Sequence, residues 1–293
     1  METVRLRLDI AYDGTAFSGW GRQPRLRTVQ GELERAIATL LRHPEHDVRL
    51  VVAGRTDAGV HAIGQVAHVD LTADQWHYLG ASRRSGTVEQ SVQRRLNGLI
   101  SEHGRDVVVG RVTRAPEGFD ARFSALWRRY EYRVADARSR RDPRRRGHTL
   151  WHTAELDLAA MDAASRSLTG LHDFAAFCRP REGATTVRTL IDYHWTRDAD
   201  GVLVAEVRAD AFCHSMVRAL VGAAMATGQG ALDHDQLHAV LGGATRENVF
   251  SVVEARGLTL VEVGYPPDDE LGARAELTRA RRELVGRTAE PSD

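Results

Sequence analysis

Segments with strand-like and helix-like apolar spacing alternate along this 293-residue chain, and the series occurs twice. Residues 4–12 alternate apolar and polar side chains, which is the period-two pattern of a strand with one buried face. Residues 28–43 place their apolar side chains on one helical face, with Thr28 as the N-cap and Pro44 beyond the end. Because strands and helices are intermixed with hairpins, the order favours two α+β units over a doubly wound parallel sheet.

The strand-like and helix-like spacings of apolar residues also predict the remaining elements. We predict a strand through Tyr130 and Tyr132, and further strands over residues 48–53, 60–71, 187–196, 202–209 and 258–263. Helices are predicted over residues 91–100, 158–168, 212–227 and 235–241. Since the series restarts near residue 117, we expect an N-terminal domain over 1–116, a C-terminal domain over 117–267 and a charged tail over 268–293, which is either helical or disordered.

Charge is balanced over the whole chain but segregated along it. The 40 basic side chains, all Arg, equal the 40 acidic ones in number. Residues 1–150 carry 26 Arg and 18 acidic residues, whereas residues 151–293 carry 14 and 22. A basic half can lie against a polyanion while the molecule stays near neutral, so nucleic acid is a candidate partner.

Composition also limits the class of protein. With 42% hydrophobic and 27% charged residues, the chain is neither fibrous nor wholly disordered. Cys178 and Cys213 are too few for a disulfide framework, and the first residues lack a basic-then-apolar leader, so we predict a cytoplasmic protein. The longest uncharged stretch, residues 219–232, is shorter than the ~18 residues that a membrane span requires. Neither a nucleotide-binding glycine motif nor zinc-like ligand spacing occurs, so no cofactor and no metal are predicted.

A carboxylate flanked by glycines stands between two predicted strands, in the loop GRTDAG at residues 54–59. The glycines let the backbone turn sharply and hold Asp57 at the mouth of a hairpin. Arg55, two residues earlier, is near enough to keep the carboxylate ionised and to contact a phosphate. Taken alone, these six residues favour an ordinary turn with a surface arginine.

Arg218 is the single formal charge between residues 211 and 232, inside a helix whose other faces are apolar. A buried guanidinium needs an anion, because an unpaired buried charge is strongly destabilising. Its partner is either Asp57 or another carboxylate in a structural ion pair, and the spacing of residues does not choose between them.

Aromatic and basic residues interleave on the strand with the sequence WRRYEY, residues 127–132. Tyr130 and Tyr132 share one face, and Arg129 and Glu131 share the other. If the tyrosine face is exposed, it suits base stacking; if it is buried, the tyrosines belong to the core. The following loop, residues 138–147, holds six Arg and is either simply solvated or grips a phosphate backbone.

Taken together, these segments resemble the tRNA pseudouridine synthase A family over residues 5–266. The stretch GRTDAGVHA is highly specific for that family. The resemblance implies two similar α+β subdomains with mixed, mainly antiparallel sheets joined across a central basic cleft. The matching stretches, in the family's order, are YDGTAFSGW (12–20), TVQGELERAI (28–37), AGRTDAGVHAIGQVAHVD (53–70), FDARFSALWRRYEYRV (119–134), GLHDFAAF (170–177), FCHSMVRALVG (212–222) and GLTLVEVGYP (257–266).

The resemblance also implies an activity and the residues that perform it. A homodimer would isomerise uridine to pseudouridine in the anticodon stem-loop of tRNA, at tRNA positions 38–40, without a cofactor. Asp57 would be the catalytic nucleophile, although removal of a ribose proton by the same carboxylate stays open. Arg55 would bind phosphate and assist base flipping, Tyr130 would stack on the target uracil, and Arg218 would pair with Asp57.

The chain departs from the family pattern at positions other than these four site residues. Gly21 stands where glutamine is usual, residues 254–256 lack the usual alanine-proline step, residues 78–90 resemble an insertion, and the tail is extended. These departures bear on substrate range rather than on the reaction. Two alternatives stay open: an RNA-binding protein without catalysis, and a synthase of the same fold that acts on another RNA or another uridine.

Overall fold

The computed structural model describes residues 3–82, 85–101, 104–180, 185–243 and 249–287. The chain forms two compact units, the first from residues 1–126 and 262–293 and the second from residues 127–261. Described residues from before and from after the second unit in the sequence therefore contribute to the first unit. The domain bounds expected from the sequence, at residues 116 and 267, stay a prediction.

The first unit is an antiparallel sheet with helices packed against it. Its strands are β1 (Thr3–Tyr12), β2 (Val51–Val52), β3 (His61–Thr72) and β4 (Val107–Arg114). β1 lies between β3 and β4, and β2 pairs with β3. The helices are α1 (Val29–Leu41), α2 (Ala73–Ala81), α3 (Val88–Ser101) and, from the C-terminal end of the chain, the helix labelled α7 (Leu271–Arg287).

Local sequence explains the best-predicted elements of this unit. Every second residue of β1 from Leu6 onward is buried, as the alternation predicts: Leu6, Leu8, Ile10 and Tyr12. α1 begins where predicted, because the Thr28 side chain accepts a hydrogen bond from the Gly31 backbone N–H. Both predictions are confirmed.

Other parts of the first unit differ from expectation. The strand predicted over residues 48–53 pairs only at Val51–Val52. α2 was not predicted, because Leu79 is its one buried side chain and its apolar face is weak. β4 was missed as well, since exposed Gly110 and Arg111 interrupt its alternation. The insertion-like stretch 78–90 contains the end of α2 and the start of α3, and its residues 83 and 84 lie outside the described residues.

The second unit is a mixed, mainly antiparallel sheet with helices packed against it. Its strands are β5 (Trp127–Ala135), β6 (Leu150–Trp151), β7 (Gly170–Asp173), β8 (Val187–Arg197), β9 (Leu203–Ala209) and β10 (Leu258–Gly264), which leads back to the first unit. Their order is β10-β5-β9-β8-β7, and β6 is parallel to β5. The helices are α4 (Leu158–Ser167), α5 (Met216–Gly228) and α6 (His234–Gly242).

The predicted α+β class and mainly antiparallel sheets are thus confirmed, while the central basic cleft stays a prediction. One covalent link was not predicted: a disulfide joins Cys178 to Cys213, whose Cα atoms are 5.7 Å apart. It ties the segment after β7 to the segment that precedes α5, within the second unit. The two cysteines are too few for a framework, but they do form this single cross-link.

The C-terminal tail is helical in its described part. Leu271 and Ala275 of α7 are buried, and the Ser124 hydroxyl donates a hydrogen bond to the Leu271 carbonyl oxygen over 3.0 Å. Arg279 pairs with Asp120 over 2.8 Å. Of the two expectations for the tail, the helical one is therefore confirmed over residues 271–287. Within the part of the chain that the structure describes, each helix is too short or too polar to cross a bilayer.

A buried histidine gives the first unit a measurable acid sensitivity. His68 accepts a hydrogen bond at Nδ1 from the Ala121 backbone N–H over 3.0 Å, and burial lowers its pKa from 6.5 to about 4. Arg5 and Arg279 act in the same direction, whereas Asp70 and Asp120 oppose them. The unfolded chain therefore binds more protons than the folded chain between these pKa values, and stability is lost as pH falls through this window.

We expect wild-type protein to lose up to about 3 kcal/mol of unfolding free energy through His68 between about pH 6.5 and pH 4. The variant His68→Asn keeps an acceptor for Ala121 but does not titrate, so its urea-unfolding free energy should depend less on pH. Parallel pH profiles for the two proteins would contradict this assignment.

Candidate functional site

The loop of residues 54–59 joins β2 to β3 in the first unit. Arg55 is exposed, Thr56 is buried and Asp57 is half-buried. Val60 N–H donates a hydrogen bond to the Asp57 carbonyl oxygen over 3.2 Å, and Gly59 has a φ of +78°. The loop is thus a tight turn that keeps its carboxylate residue partly accessible, as the glycines around Asp57 predict.

The segment that follows β1 holds this loop through backbone contacts. Trp20 N–H donates to the Thr56 carbonyl oxygen over 3.0 Å, and Gly59 N–H donates to the Phe17 carbonyl oxygen over 3.3 Å. Gly19 has a φ of +93°, and a Cβ there would lie 3.0 Å from the Thr56 carbonyl oxygen. Glycine at position 19 therefore permits both the turn and the close approach of the two backbones.

A second set of contacts is made by buried polar side chains. The Tyr12 hydroxyl lies 2.7 Å from Thr56 Oγ1. Gln65 donates from Nε2 to Tyr12 Oη over 3.2 Å and to the Gly54 carbonyl oxygen over 2.9 Å. Burial raises the pKa of Tyr12 to about 12, so its hydroxyl stays neutral. The sequence analysis did not identify Tyr12, Thr56 and Gln65 as a network. Gln65 could have been singled out, because it is a glutamine among apolar residues in the strand predicted over residues 60–71.

Gly21, one of the departures from the family pattern, lies against Arg55. A Cβ at position 21 would stand 3.5 Å from Arg55 Nε and 3.6 Å from Cζ, which is ordinary van der Waals contact. A longer side chain at this position would start beside the guanidinium. The departure therefore removes a side chain next to one of the predicted site residues, as the sequence suggests.

The other two predicted site residues belong to the second unit. Tyr130 lies on β5 and is 8% exposed, and its ring packs edge-on against Phe212 with 5.1 Å between centroids. Tyr132 shares that face, is fully buried and donates from its hydroxyl to the Glu254 carbonyl oxygen over 2.7 Å. Burial raises the pKa of Tyr132 above its ordinary value. The predicted sharing of one face is confirmed, and Tyr132 is a core residue.

Arg218 lies in the first turn of α5, a helix buried on almost every side. The side chain itself is half-buried, and its Nε donates to the Val253 carbonyl oxygen over 2.7 Å. Gly222 admits the neighbouring segment, because a Cβ there would lie 1.9 Å from the Ser251 carbonyl oxygen. The helix starts at Met216 rather than at the predicted residue 212. The pairing of Arg218 with Asp57 stays a prediction.

The loop of residues 138–147 presents its six Arg side chains to solvent. Some are paired locally: Arg144 contacts Asp142 over 2.7 Å, and Arg138 contacts Glu155 over 3.2 Å. Exposed ion pairs of this kind are weak, so these guanidinium groups are available to other anions.

One group of possible metal ligands was not predicted. Single donor atoms of Asp192, His194 and Glu206, on β8 and β9, lie within 4.8 Å of one another. Arg129 contacts Glu206 over 2.9 Å, and Asp192 contacts His194 Nδ1 over 3.1 Å. Because these groups already bond to each other and to a cation, we assign no metal to them.

The chain matches the family model described as tRNA pseudouridine synthase over residues 10–101 and 164–266. These segments cover well over half of the sequence. The chain belongs to the tRNA pseudouridine synthase family. It is accordingly an isomerase. Asp57, Arg55 and Arg218 lie inside the matched segments, whereas Tyr130 lies between them.

Individual relatives extend this similarity to almost the full length. The chain is 56% identical over 286 residues to tRNA pseudouridine synthase A of Leifsonia xyli subsp. xyli, covering 97% of this chain and 99% of that protein. It is 56% identical over 279 residues to tRNA pseudouridine synthase A of Frankia casuarinae, with 95% and 96% covered. The solved archaeal box H/ACA sRNP Nop10-Cbf5 complex aligns with 95% of the chain and 67% of the solved chain at 9% identity, with a TM-score of 0.28, too low to carry an argument.

The close approach at Gly222 provides a test of how α5 is seated. In Gly222→Ala the new Cβ would overlap the Ser251 carbonyl oxygen, so we expect a loss of about 1–3 kcal/mol in urea unfolding. In the control Gly98→Ala, an exposed position of α3 with open space around the new Cβ, we expect a gain of about 0.5–1 kcal/mol. Equal stability of the two variants would show that α5 tolerates a side chain at position 222.

Proposed function

We propose that this enzyme converts uridine to pseudouridine in the anticodon stem-loop of tRNA, at positions 38–40, with Asp57 as the nucleophile. Family membership and the relatives' shared name, tRNA pseudouridine synthase A, support tRNA as the substrate. The observation that carries the assignment of Asp57 is its place in a loop with a firmly held backbone and a partly accessible carboxylate residue.

The reaction balances without an added reagent. The bond between ribose C1′ and uracil N1 breaks, the base turns within its pocket, and C1′ joins uracil C5. The C5 proton leaves and N1 takes up a proton, so nothing is oxidised and no group moves to another molecule. As nucleophile, the Asp57 carboxylate would form a transient covalent bond to the sugar or the base that is broken before product leaves.

The other predicted residues keep, in this proposal, the roles that the family resemblance implies. Arg55 is exposed two residues before Asp57 and would bind a phosphate of the target strand while the nucleotide turns outward. Turning a base out of a stem costs about a few kcal/mol, and phosphate contacts and stacking on Tyr130 would offset it. Arg218 stays the predicted partner of Asp57.

Assembly and RNA binding are parts of the same proposal. The exposed arginines of residues 138–147 would contact the phosphate backbone of tRNA. The resemblance to the tRNA pseudouridine synthase A family implies a homodimer that holds one tRNA across both subunits. The cytoplasmic location predicted from the sequence is part of the same proposal. A binding protein without catalysis would show the RNA affinity but form no pseudouridine.

Replacement of the carboxylate tests the reaction itself. In Asp57→Asn we expect pseudouridine formation, measured as tritium released from tRNA labelled at uridine C5, to fall by more than about a thousandfold, because the nucleophile is lost. Binding of tRNA should change little. Asp74→Asn, which removes an exposed carboxylate from the first turn of α2, should keep full activity. Substantial turnover by Asp57→Asn would overturn the nucleophile assignment.

The arginine loop is tested through the salt dependence of binding. Each phosphate contact contributes about 0.7–0.9 to the slope of log affinity against log salt concentration. The variant Arg144→Gln/Arg145→Gln/Arg146→Gln should therefore reduce that slope by about 2 in filter-binding titrations. Arg166→Gln, which removes an exposed arginine already paired with Asp162, is the single-charge control. An unchanged slope in the triple variant would remove this loop from the RNA interface.

A further inference from the structure

We propose that the Tyr12 hydroxyl and the Gln65 carboxamide are positioning residues for Asp57, acting through Thr56 and Gly54. They would hold the backbone of residues 54–57 in the geometry that the reaction needs. This inference rests on the proposed function, because it concerns how the Asp57 carboxylate is aimed. Every contact that carries it lies within the first unit.

The pairing of β1 with β3 brings the two side chains to one place. Ile10 pairs with Gln65 and Tyr12 pairs with Ala62, so β3 has one more residue than β1 between these pairs. Such a bulge changes the direction of the side chains beside it. Tyr12 and Gln65 are both buried here, and Tyr12 Oη and Gln65 Nε2 are 3.2 Å apart.

The orientation of the Gln65 carboxamide is set by its own neighbours. Its Oε1 accepts a hydrogen bond from the Val66 backbone N–H over 3.1 Å. Nε2 is therefore the atom that faces Tyr12 Oη and the Gly54 carbonyl oxygen, and its two protons match these two acceptors. Gln65 thus connects the first residue of the loop to the phenol ring of β1.

The chain of contacts ends one residue before the carboxylate. Tyr12 Oη accepts from Gln65 and has its own proton to give, and Thr56 Oγ1 lies 2.7 Å away. The Thr56 carbonyl oxygen accepts from Trp20 N–H. Both the side chain and the backbone of Thr56 are consequently held, and its neighbour Asp57 has little freedom to move.

Burial makes this network rigid. Relative exposures are 5% for Tyr12, 6% for Thr56 and 0% for Gln65, so water does not readily replace a lost partner. The Tyr12 ring also packs against Trp20 with 6.0 Å between centroids. A buried phenol in this position acts through the loop rather than on the substrate. A displacement of about 1 Å in a reacting group costs about a hundredfold in rate, so loss of one contact should appear in kcat.

The test compares hydroxyl deletions that differ in location. Tyr12→Phe and Thr56→Val each remove one hydroxyl and keep the shape, and each should lower kcat on tRNA by about 10- to 100-fold with KM within about twofold of wild type. Thr56→Ser restores the hydroxyl and should recover kcat to within about threefold of wild type. The control Tyr265→Phe removes a hydroxyl that donates to the Ala121 carbonyl oxygen over 2.7 Å, away from the loop, and should keep wild-type kcat.

The double variant Tyr12→Phe/Thr56→Val separates positioning from general destabilisation. Each single variant breaks the same contact, between Tyr12 Oη and Thr56 Oγ1. If that contact positions the loop, the kcat of the double variant should be no lower than that of the less active single variant, because the second change removes nothing further. Because the Tyr12 hydroxyl stays neutral, the loss in kcat should also be constant from about pH 6 to about pH 9. Circular dichroism and melting temperature report folding, and Thr56→Val serves alone if Tyr12→Phe does not fold.

Two results would overturn the inference: wild-type kcat in Tyr12→Phe or Thr56→Val, or losses that add in the double variant. The Asp57→Asn variant keeps this failure distinct from failure of the proposed function. If Asp57→Asn is inactive while Tyr12→Phe and Thr56→Val are fully active, only the positioning role is wrong. If Asp57→Asn is active, the function proposed for Asp57 is wrong.

Discussion

Hydrogen bonds to the backbone of residues 54–59 are the constraint on which the candidate site depends. A short loop with two glycines has little intrinsic preference for one shape, so its conformation must come from its neighbours. Trp20 and Phe17 bond to its backbone through their own backbone groups, and Gln65 donates to the Gly54 carbonyl oxygen. The Tyr12 hydroxyl contacts the Thr56 side chain. The stretch after β1 and the loop before β3 therefore act as one structural feature of the first unit, although they are far apart in sequence.

In the second unit, too, backbone from another part of the chain holds a predicted site residue. Alternation along β5 separates the tyrosines from the charged side chains, and the tyrosine face is covered. Gly222 lets the backbone near Ser251 approach α5, and the same segment supplies the Val253 carbonyl oxygen to Arg218. A charged side chain in a mostly apolar helix is thus held by backbone that only a glycine admits. The position of Arg218 therefore depends on packing at Gly222, about one helical turn away, as well as on its own partner.

Elements with a strong period or a clear cap were predicted well. The alternation of β1 and the Thr28 cap of α1 are properties of neighbouring residues, so a single sequence displays them. α2 and β4 were missed because each has a weak apolar pattern and relies on contacts from elsewhere. α5 begins four residues later than its apolar pattern, because Ser215 adopts a left-handed conformation with a φ of +64°. The disulfide between Cys178 and Cys213 also depends on contacts between distant segments.

The sequence by itself determined the α+β class, the turn around Asp57 and the resemblance to a family, because these follow from local periodicity and from specific short motifs. Only the tertiary structure decided how that turn is held. In the sequence, Tyr12 is the last residue of one predicted strand, and Gln65 is an isolated polar residue in a second predicted strand. Their hydroxyl and carboxamide become partners because an extra residue in β3 brings two distant chain segments into one buried network, and sequence spacing does not encode such a contact.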